Sequence, residues 1–287
     1  MNRRAVIASA ALIGVLLLAL FYPTLRWLVS EWLGNDYYSH GFLVPVIAAL
    51  AAWRLWVKWP AERRRVKAAP VGLLPTAAAL GVYLFALLQR AYFVAALAMI
   101  VLIAGLVWYL LGTAALRRLA FPLLFLLFMA PLPFVEPLSV PLAQFTGVIA
   151  AGVVRLFGVP ITVNGMQVTL PNANASTGLS TSLVVGAQCS GLRSIVSLLT
   201  LVALVVFLVD GSGWRKALLA LSSIPIAILG NVLRVASLLG VAHVWGADAG
   251  FKYYHDYSSI VFFLSALVLL LLFSRGIGCR EIRDDIF

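Results

Sequence analysis

What most constrains this chain is a recurring run of apolar residues about as long as a bilayer is thick. Eight such runs fall at residues 5–22, 41–57, 71–89, 92–111, 116–134, 191–209, 216–236 and 257–274. About 20 apolar residues in a helix cross the ~30 Å of hydrocarbon. Inside lipid a backbone must satisfy its own hydrogen bonds, which leaves helices or closed barrels. Composition agrees: 63% of the 287 residues are hydrophobic and 11% are charged, against about 25% charged in a soluble domain. The expected fold is therefore all-α and polytopic, one integral membrane domain over residues 1–287 with about eight transmembrane helices. The run that follows "MNRR" exceeds a signal-peptide core and no small-residue cleavage site follows it, so it reads as an uncleaved first span.

The net charge of +11 is not a nucleic-acid signal, because the basic residues sit in short clusters between apolar runs. That pattern marks cytoplasmic loops. A ninth stretch, residues 137–158, carries Gln144, Thr146 and Arg155. If it stays on one side and the N-terminus is cytoplasmic, six of the 21 Lys and Arg fall outside or in that stretch: Arg26, Arg90, Arg155, Arg193, Arg234 and Lys252. The other fifteen are then cytoplasmic. The expectation is one interfacial or re-entrant helix beside the eight crossings. Residues 159–188 would then form an extracytoplasmic loop. Within it "VPITVNGMQVTLP" alternates around Asn164-Gly165, which predicts a short β-hairpin on a type I′ turn.

The same topology gathers chemistry at one depth. Cys189, in "GAQCSGLRS", precedes a span that starts outside. Arg234 lies 18 residues past Lys216, a climb of about 27 Å along a helix, which returns it to the outer interface. His255 opens the last span on the same side. A thiolate gains from a helix N-terminus and nearby cations, and either Arg193, one turn into the helix, or Arg234 could supply the cation. His255 could take the thiol proton. Arg234 could instead bind a substrate's acidic group or an oxyanion. Gly191 and Ser190 would leave room for a substrate backbone. Each residue has a blander reading too: a small core cysteine, arginines at headgroups, a surface histidine. Two cysteines without a CxxC make neither a zinc motif nor a disulfide scaffold, and Cys279 lies at the opposite end of the membrane part. No metal or cofactor motif is visible.

"CSGLRS" (189–194), "NVLRV" (231–235) and "YYHDYSS" (253–259) resemble, in that order, the signature motifs of the exosortases and archaeosortases. "DYYSHGFLVP" (36–45) and "FLLFMAPLP" (125–133) resemble that family's earlier motifs, so the likeness covers roughly residues 30–270. It implies a membrane-embedded cysteine protease or transpeptidase with Cys189 as nucleophile, Arg234 as the motif arginine and His255 as base. His255, where the archaeal branch is described with arginine, points to a bacterial exosortase. The implied partners are exported proteins whose C-terminal sorting signal joins a Pro-Glu-Pro-like (PEP-CTERM-like) motif, a hydrophobic span and a basic tail. A thioester on Cys189 would pass to an acceptor amine or to water, at the periplasmic face of a bacterial inner membrane. Supporting roles are expected for Arg193, for Asn231 as a hydrogen-bonding guide for Arg234, for Asp256 as a guide for the His255 ring, and for His40 as second base, substrate contact or cap of the second span. Two other classes compete: a polytopic acyltransferase with a histidine base, and a transporter of envelope polysaccharide or lipid, both with a non-catalytic Cys189. A transporter would predict helix repeats with midplane charges, and the sequence has no internal repeat.

Overall fold

The computed structural model describes residues 3–60, 67–170, 181–247 and 255–283. Its helices, in chain order, are α1 (Arg3–Gly34), α2 (Leu43–Val57), α3 (Leu73–Leu88), α4 (Tyr92–Leu111), α5 (Thr113–Arg118), α6 (Ala120–Phe125), α7 (Ser139–Leu156), α8 (Leu192–Leu208), α9 (Gly213–Trp245) and α10 (His255–Gly276). Three short strands, β1 (Thr162–Asn164), β2 (Gln167–Leu170) and β3 (Thr181–Val184), lie between α7 and α8. The protein is thus an all-α polytopic membrane protein with one small sheet. Seven helical segments among the described residues are long and apolar enough to cross a membrane, and two shorter ones, Ala120–Met129 and Leu192–Leu208, are apolar but brief.

Three spans differ from the sequence reading. Residues 116–134 break into α5, α6 and a 3₁₀ turn, because "GTAALRRLAFP" places two arginines and a proline in what would be one helix. Conversely, the ambiguous ninth stretch forms a continuous apolar segment, Glu136–Leu156, of 21 residues. Of its polar residues Thr146 turns inward and is buried, whereas Gln144 and Arg155 are exposed. The third long difference is α9, which runs past residue 236 to Trp245. Trp214 and Trp245 are both exposed near its two ends, about 46 Å apart along the axis. That matches a bilayer with its headgroup layers, where interfacial tryptophans collect.

The chain divides into two compact units, one ending at Leu132 and the other beginning at Pro133. In the first unit, α3 and α4 pair through small residues: Ala79 and Ala86 on one side, Ala95, Ala96 and Ala98 on the other, all buried. Small side chains let membrane helices approach closely, where dispersion substitutes for the missing hydrophobic drive. The stretches 36–45 and 125–133 interlock in this unit. Asn35 Oδ1 accepts from the Tyr37 N–H at 3.1 Å and caps the 3₁₀ turn Asp36–Phe42. Tyr38 Oη then accepts the Leu132 N–H at 2.8 Å, and Trp32 Nε1 donates to the Met129 carbonyl at 2.9 Å. Gly41 lies flat under the Trp32 ring, where any Cβ would collide with the indole.

In the second unit the strands form an antiparallel meander β1-β2-β3. The expected hairpin is present, but its turn is displaced by one residue. Asn164 pairs with Gln167, so Gly165 and Met166 are the central positions, and of these only Gly165 has positive φ, at 61°. Glycine at the first central position is the signature of a type II′ turn, not the I′ turn anticipated. β3 was not expected. The sheet's inner face, Val168, Leu170 and Leu183, packs with Ala143, Ala150 and Val154 of α7, Val235 and Leu239 of α9, and Cys189. A second apolar cluster joins Leu198 and Val202 of α8, Leu219 and Ala227 of α9, and Ala266 and Leu270 of α10.

At the far end of α8 the C-terminal segment folds back: Asp210 donates its N–H to the Glu281 carbonyl at 2.7 Å and Arg283 to that of Leu208 at 2.9 Å. Cys279, buried, lies against Gly211 there. Neither cysteine is in a disulfide; they lie at opposite ends of a 17-residue helix about 26 Å long, as the sequence reading expected.

Gly41→Ala tests the interlock of the two early stretches. The added methyl displaces the Trp32 ring and its bond to Met129, an overpacking cost of about 1–3 kcal/mol. A lowered thermal unfolding midpoint in detergent is expected; an unchanged midpoint would refute this role for Gly41.

Candidate functional site

The site is built on the seam between the sheet and α8. After β3 the chain turns through a 3₁₀ segment, Ala187–Cys189, with the Cys189 N–H bonded to the Gly186 carbonyl at 2.8 Å. Gly191 then caps α8 with φ 76°, in the left-handed region that only glycine enters at little cost. Ser190 Oγ accepts the Leu192 N–H at 3.2 Å, which satisfies one of the donors a helix start leaves open. Cys189 therefore sits two residues before the cap, held by a turn on each side, and is 6% exposed.

Asn231 of α9 locks this turn in place. It is 4% exposed, and its Nδ2 donates to the Cys189 carbonyl at 2.9 Å and to Thr146 Oγ1 of α7 at 3.3 Å. The orientation of the amide follows from the partner, since a carbonyl only accepts. Two readings change here. Asn231 bonds the backbone of Cys189, where the sequence reading had it guiding Arg234. Gly191 makes room for Asn231: a Cβ at Gly191 would overlap the Asn231 side chain.

Arg234 lies one turn beyond Asn231 on the same face of α9. It is 7% exposed, and α9 continues about 16 Å past it, because "VASLLGVAHVW" stays apolar. The sequence reading put Arg234 at the end of its span; it is instead well inside a membrane helix. An arginine there requires partners and marks a functional position by default. Its Nη1 donates to Ser259 Oγ of α10 at 2.9 Å, and its guanidinium stands within hydrogen-bonding reach of the Cys189 sulfur. Arg193, the other candidate for that place, is exposed on the outer side of α8. Arg234 is the arginine whose charge acts on the sulfur.

The electrostatics run opposite to the simple expectation for a cysteine beside a helix start. Burial pushes the Cys189 thiol up from its ordinary range, and the charge and hydrogen bond of Arg234 pull it only part of the way back. The sulfur belongs to the apolar cluster under the sheet, and desolvation there penalises the thiolate.

α10 begins at His255, four positions and so one helical turn before Ser259. The side chains of His255 and Asp256 lie outside the described residues. His40 belongs to the first unit, where its ring stacks on Tyr38 with centroids 6.2 Å apart. Thr146 and Ser259 were not singled out as site residues. Thr146 had counted against residues 137–158 as a span, and a polar residue inside an apolar helix was the available signal. Ser259 stood in the "YYHDYSS" stretch, but only packing shows that it holds the arginine.

Residues 32–272 match the transmembrane exosortase family (Exosortase_EpsH). No curated protein and no solved structure matches the chain. The match takes in both early stretches, the Cys189 turn, all of α9 and most of α10; this chain belongs to the transmembrane exosortase family.

Proposed function

We propose that this exosortase is a membrane-embedded cysteine peptidase and transpeptidase that cuts the C-terminal sorting signal of exported proteins, with Cys189 as nucleophile. The observation that carries the reading is a buried arginine within hydrogen-bonding reach of a buried cysteine from a separate helix. A structural cysteine in an apolar core needs no such partner. A nucleophile whose reaction creates negative charge beside it does.

The chemistry divides among the residues as follows. The resting thiol is protonated, since burial outweighs Arg234, so a base is required. His255 takes the thiol proton as the sulfur attacks the scissile carbonyl carbon. Arg234 stabilises the oxyanion. As the intermediate collapses the C–N bond breaks, and the imidazolium returns its proton to the leaving amine. The thioester on Cys189 is then resolved by an acceptor amine or by water. The substrate is an exported protein whose tail carries a Pro-Glu-Pro-like motif, an apolar span and basic residues.

The site faces the extracytoplasmic side of a bacterial inner membrane. The basic clusters support this orientation, because Arg3 and Arg4 before the first span, Arg54 and Lys58 after the second, and Arg215 and Lys216 before α9 then fall on the cytoplasmic side.

Cys189→Ala and Cys189→Ser are expected to reduce processing of a co-expressed, tagged substrate to background, read by immunoblot and by mass spectrometry of the new C-terminus. Arg234→Gln is expected to lower the rate about 10²–10³-fold, the loss typical of one oxyanion donor. Processing that continues in the cysteine variants would favour the acyltransferase or transporter classes.

Alkylation tests the state of the thiol. In full-length Cys279→Ser protein, iodoacetamide labelling of Cys189 should keep rising past pH ~8.5, where an ordinary thiol is half ionised. Arg234→Gln should move the curve higher still, because it removes the group that favours the thiolate. A curve that levels below the ordinary value would contradict a protonated resting thiol.

A further inference from the structure

Two buried polar atoms next to the site have no hydrogen-bond partner among the described residues: Asn231 Oδ1, an acceptor, and Arg234 Nη2, a donor. Their side chains are 4% and 7% exposed. The other ends of both are engaged, Asn231 Nδ2 on the Cys189 carbonyl and Thr146 Oγ1, Arg234 Nη1 on Ser259 Oγ. Neither side chain can turn toward a new partner without giving up one of those bonds. Buried donors and acceptors are nearly always paired, either to protein or to ordered water.

Asn231 and Arg234 project from one face of α9, three residues apart, and border the same small space at the α8–α9–α10 junction. Ser194 of α8 and Ser259 of α10 border it too, and the rest of its wall is apolar. The space gives the centre of a water-sized sphere about 10 Å³. That is about the room one water needs, and a cavity of this size holds water when it offers two to four polar partners. A water both donates and accepts: one hydrogen suits Asn231 Oδ1, and the oxygen suits Arg234 Nη2. The two serines can add a third and a fourth partner. Cys189 does not border the space, so a water there supports the guanidinium and is not the water that resolves a thioester.

We propose that a single buried water bridges Asn231 Oδ1 to Arg234 Nη2, and that Asn231 is thereby a positioning residue for the arginine as well as the clamp on the Cys189 turn. Thr146, Asn231, the water, Arg234 and Ser259 then form one chain of hydrogen bonds from α7 through α9 to α10. The guanidinium is held at two of its nitrogens, by Ser259 and by the water, where it meets the sulfur. A fully satisfied buried network of this kind rigidifies the groups it joins. The consequence for turnover rests on the peptidase reading above; the water and its effect on the thiol do not.

The test uses the full-length protein. A high-resolution structure in lipid nanodiscs should show one solvent peak about 2.7–3.2 Å from both atoms. A methyl at Gly230, which also borders the space, takes up the room of the water. The added Cβ would meet Ala266 Cβ at 3.7 Å and the Phe262 carbonyl at 3.8 Å, ordinary contacts, so it enters without a clash. In Cys279→Ser protein, where Cys189 is the remaining thiol, Gly230→Ala should slow iodoacetamide labelling about 2- to 10-fold at a fixed pH, the effect of one lost hydrogen bond. In Cys279→Ser/Arg234→Gln protein the same methyl should change nothing, because the water acts through the arginine. In the processing assay Gly230→Ala should lower kcat by a similar factor and leave KM within about twofold. No solvent peak in contact with both atoms, unchanged labelling in Gly230→Ala, or an equal loss of labelling in the Arg234→Gln background would overturn the proposal. Labelling that behaves as expected, together with undiminished processing by Cys189→Ser, would instead sink the peptidase reading and leave the water standing.

Discussion

A guanidinium inside a membrane helix has to be paired, and much of the second unit is arranged around pairing one. Arg234 cannot lose its charge and sits about three turns from the end of α9, so it cannot reach a headgroup without leaving its place. It is buried between a serine from α10 and the sulfur of the Cys189 turn. Each of those contacts fixes an element that local sequence alone would leave loose. The Cys189 turn is non-helical backbone, which lipid does not tolerate unless it is covered by protein. The sheet, α7 and α9 provide that cover.

Asn231 supplies the complementary constraint. Its amide bonds a carbonyl that the turn leaves open, and it occupies the space that any side chain at residue 191 would fill. Cysteine, glycine, asparagine and arginine in two distant stretches are thus one mechanical unit. The glycine gives both a left-handed cap and an absent Cβ, the asparagine uses that absence, and the arginine on the next turn meets the sulfur. This unit presents a neutral thiol in a dry setting. The thiolate is costly there, because burial penalises the charge more than Arg234 favours it.

The first unit plays a different part. Its two family stretches meet through Trp32, Tyr38 and Gly41, all bonds or contacts to backbone. For these residues the pattern serves architecture: a glycine under an indole and a phenol on a proline-rich turn fix the course of the chain between α1 and α2.

Much of this was legible in the sequence. Apolar runs of bilayer length gave the helices, since a backbone in lipid must bond itself, and the order of short motifs gave the family. Alternation gave the hairpin, although Asn164-Gly165 pointed to the wrong turn because the strand register, set by Val168 and Leu170 facing α7, decides which residues are central. What the sequence could not decide depends on three-dimensional phase. Whether Arg193 or Arg234 acts on the sulfur depends on how the helices pack. Whether polar residues break residues 137–158 or find a partner inside depends on Asn231, 85 positions from Thr146. The thiol's protonation state depends on how much apolar surface closes over it. The sequence by itself determined which segments are helical and membrane-bound, because hydropathy and length act locally. Only the tertiary structure decided which polar atoms are paired, because that depends on contacts among helices that never meet along the chain.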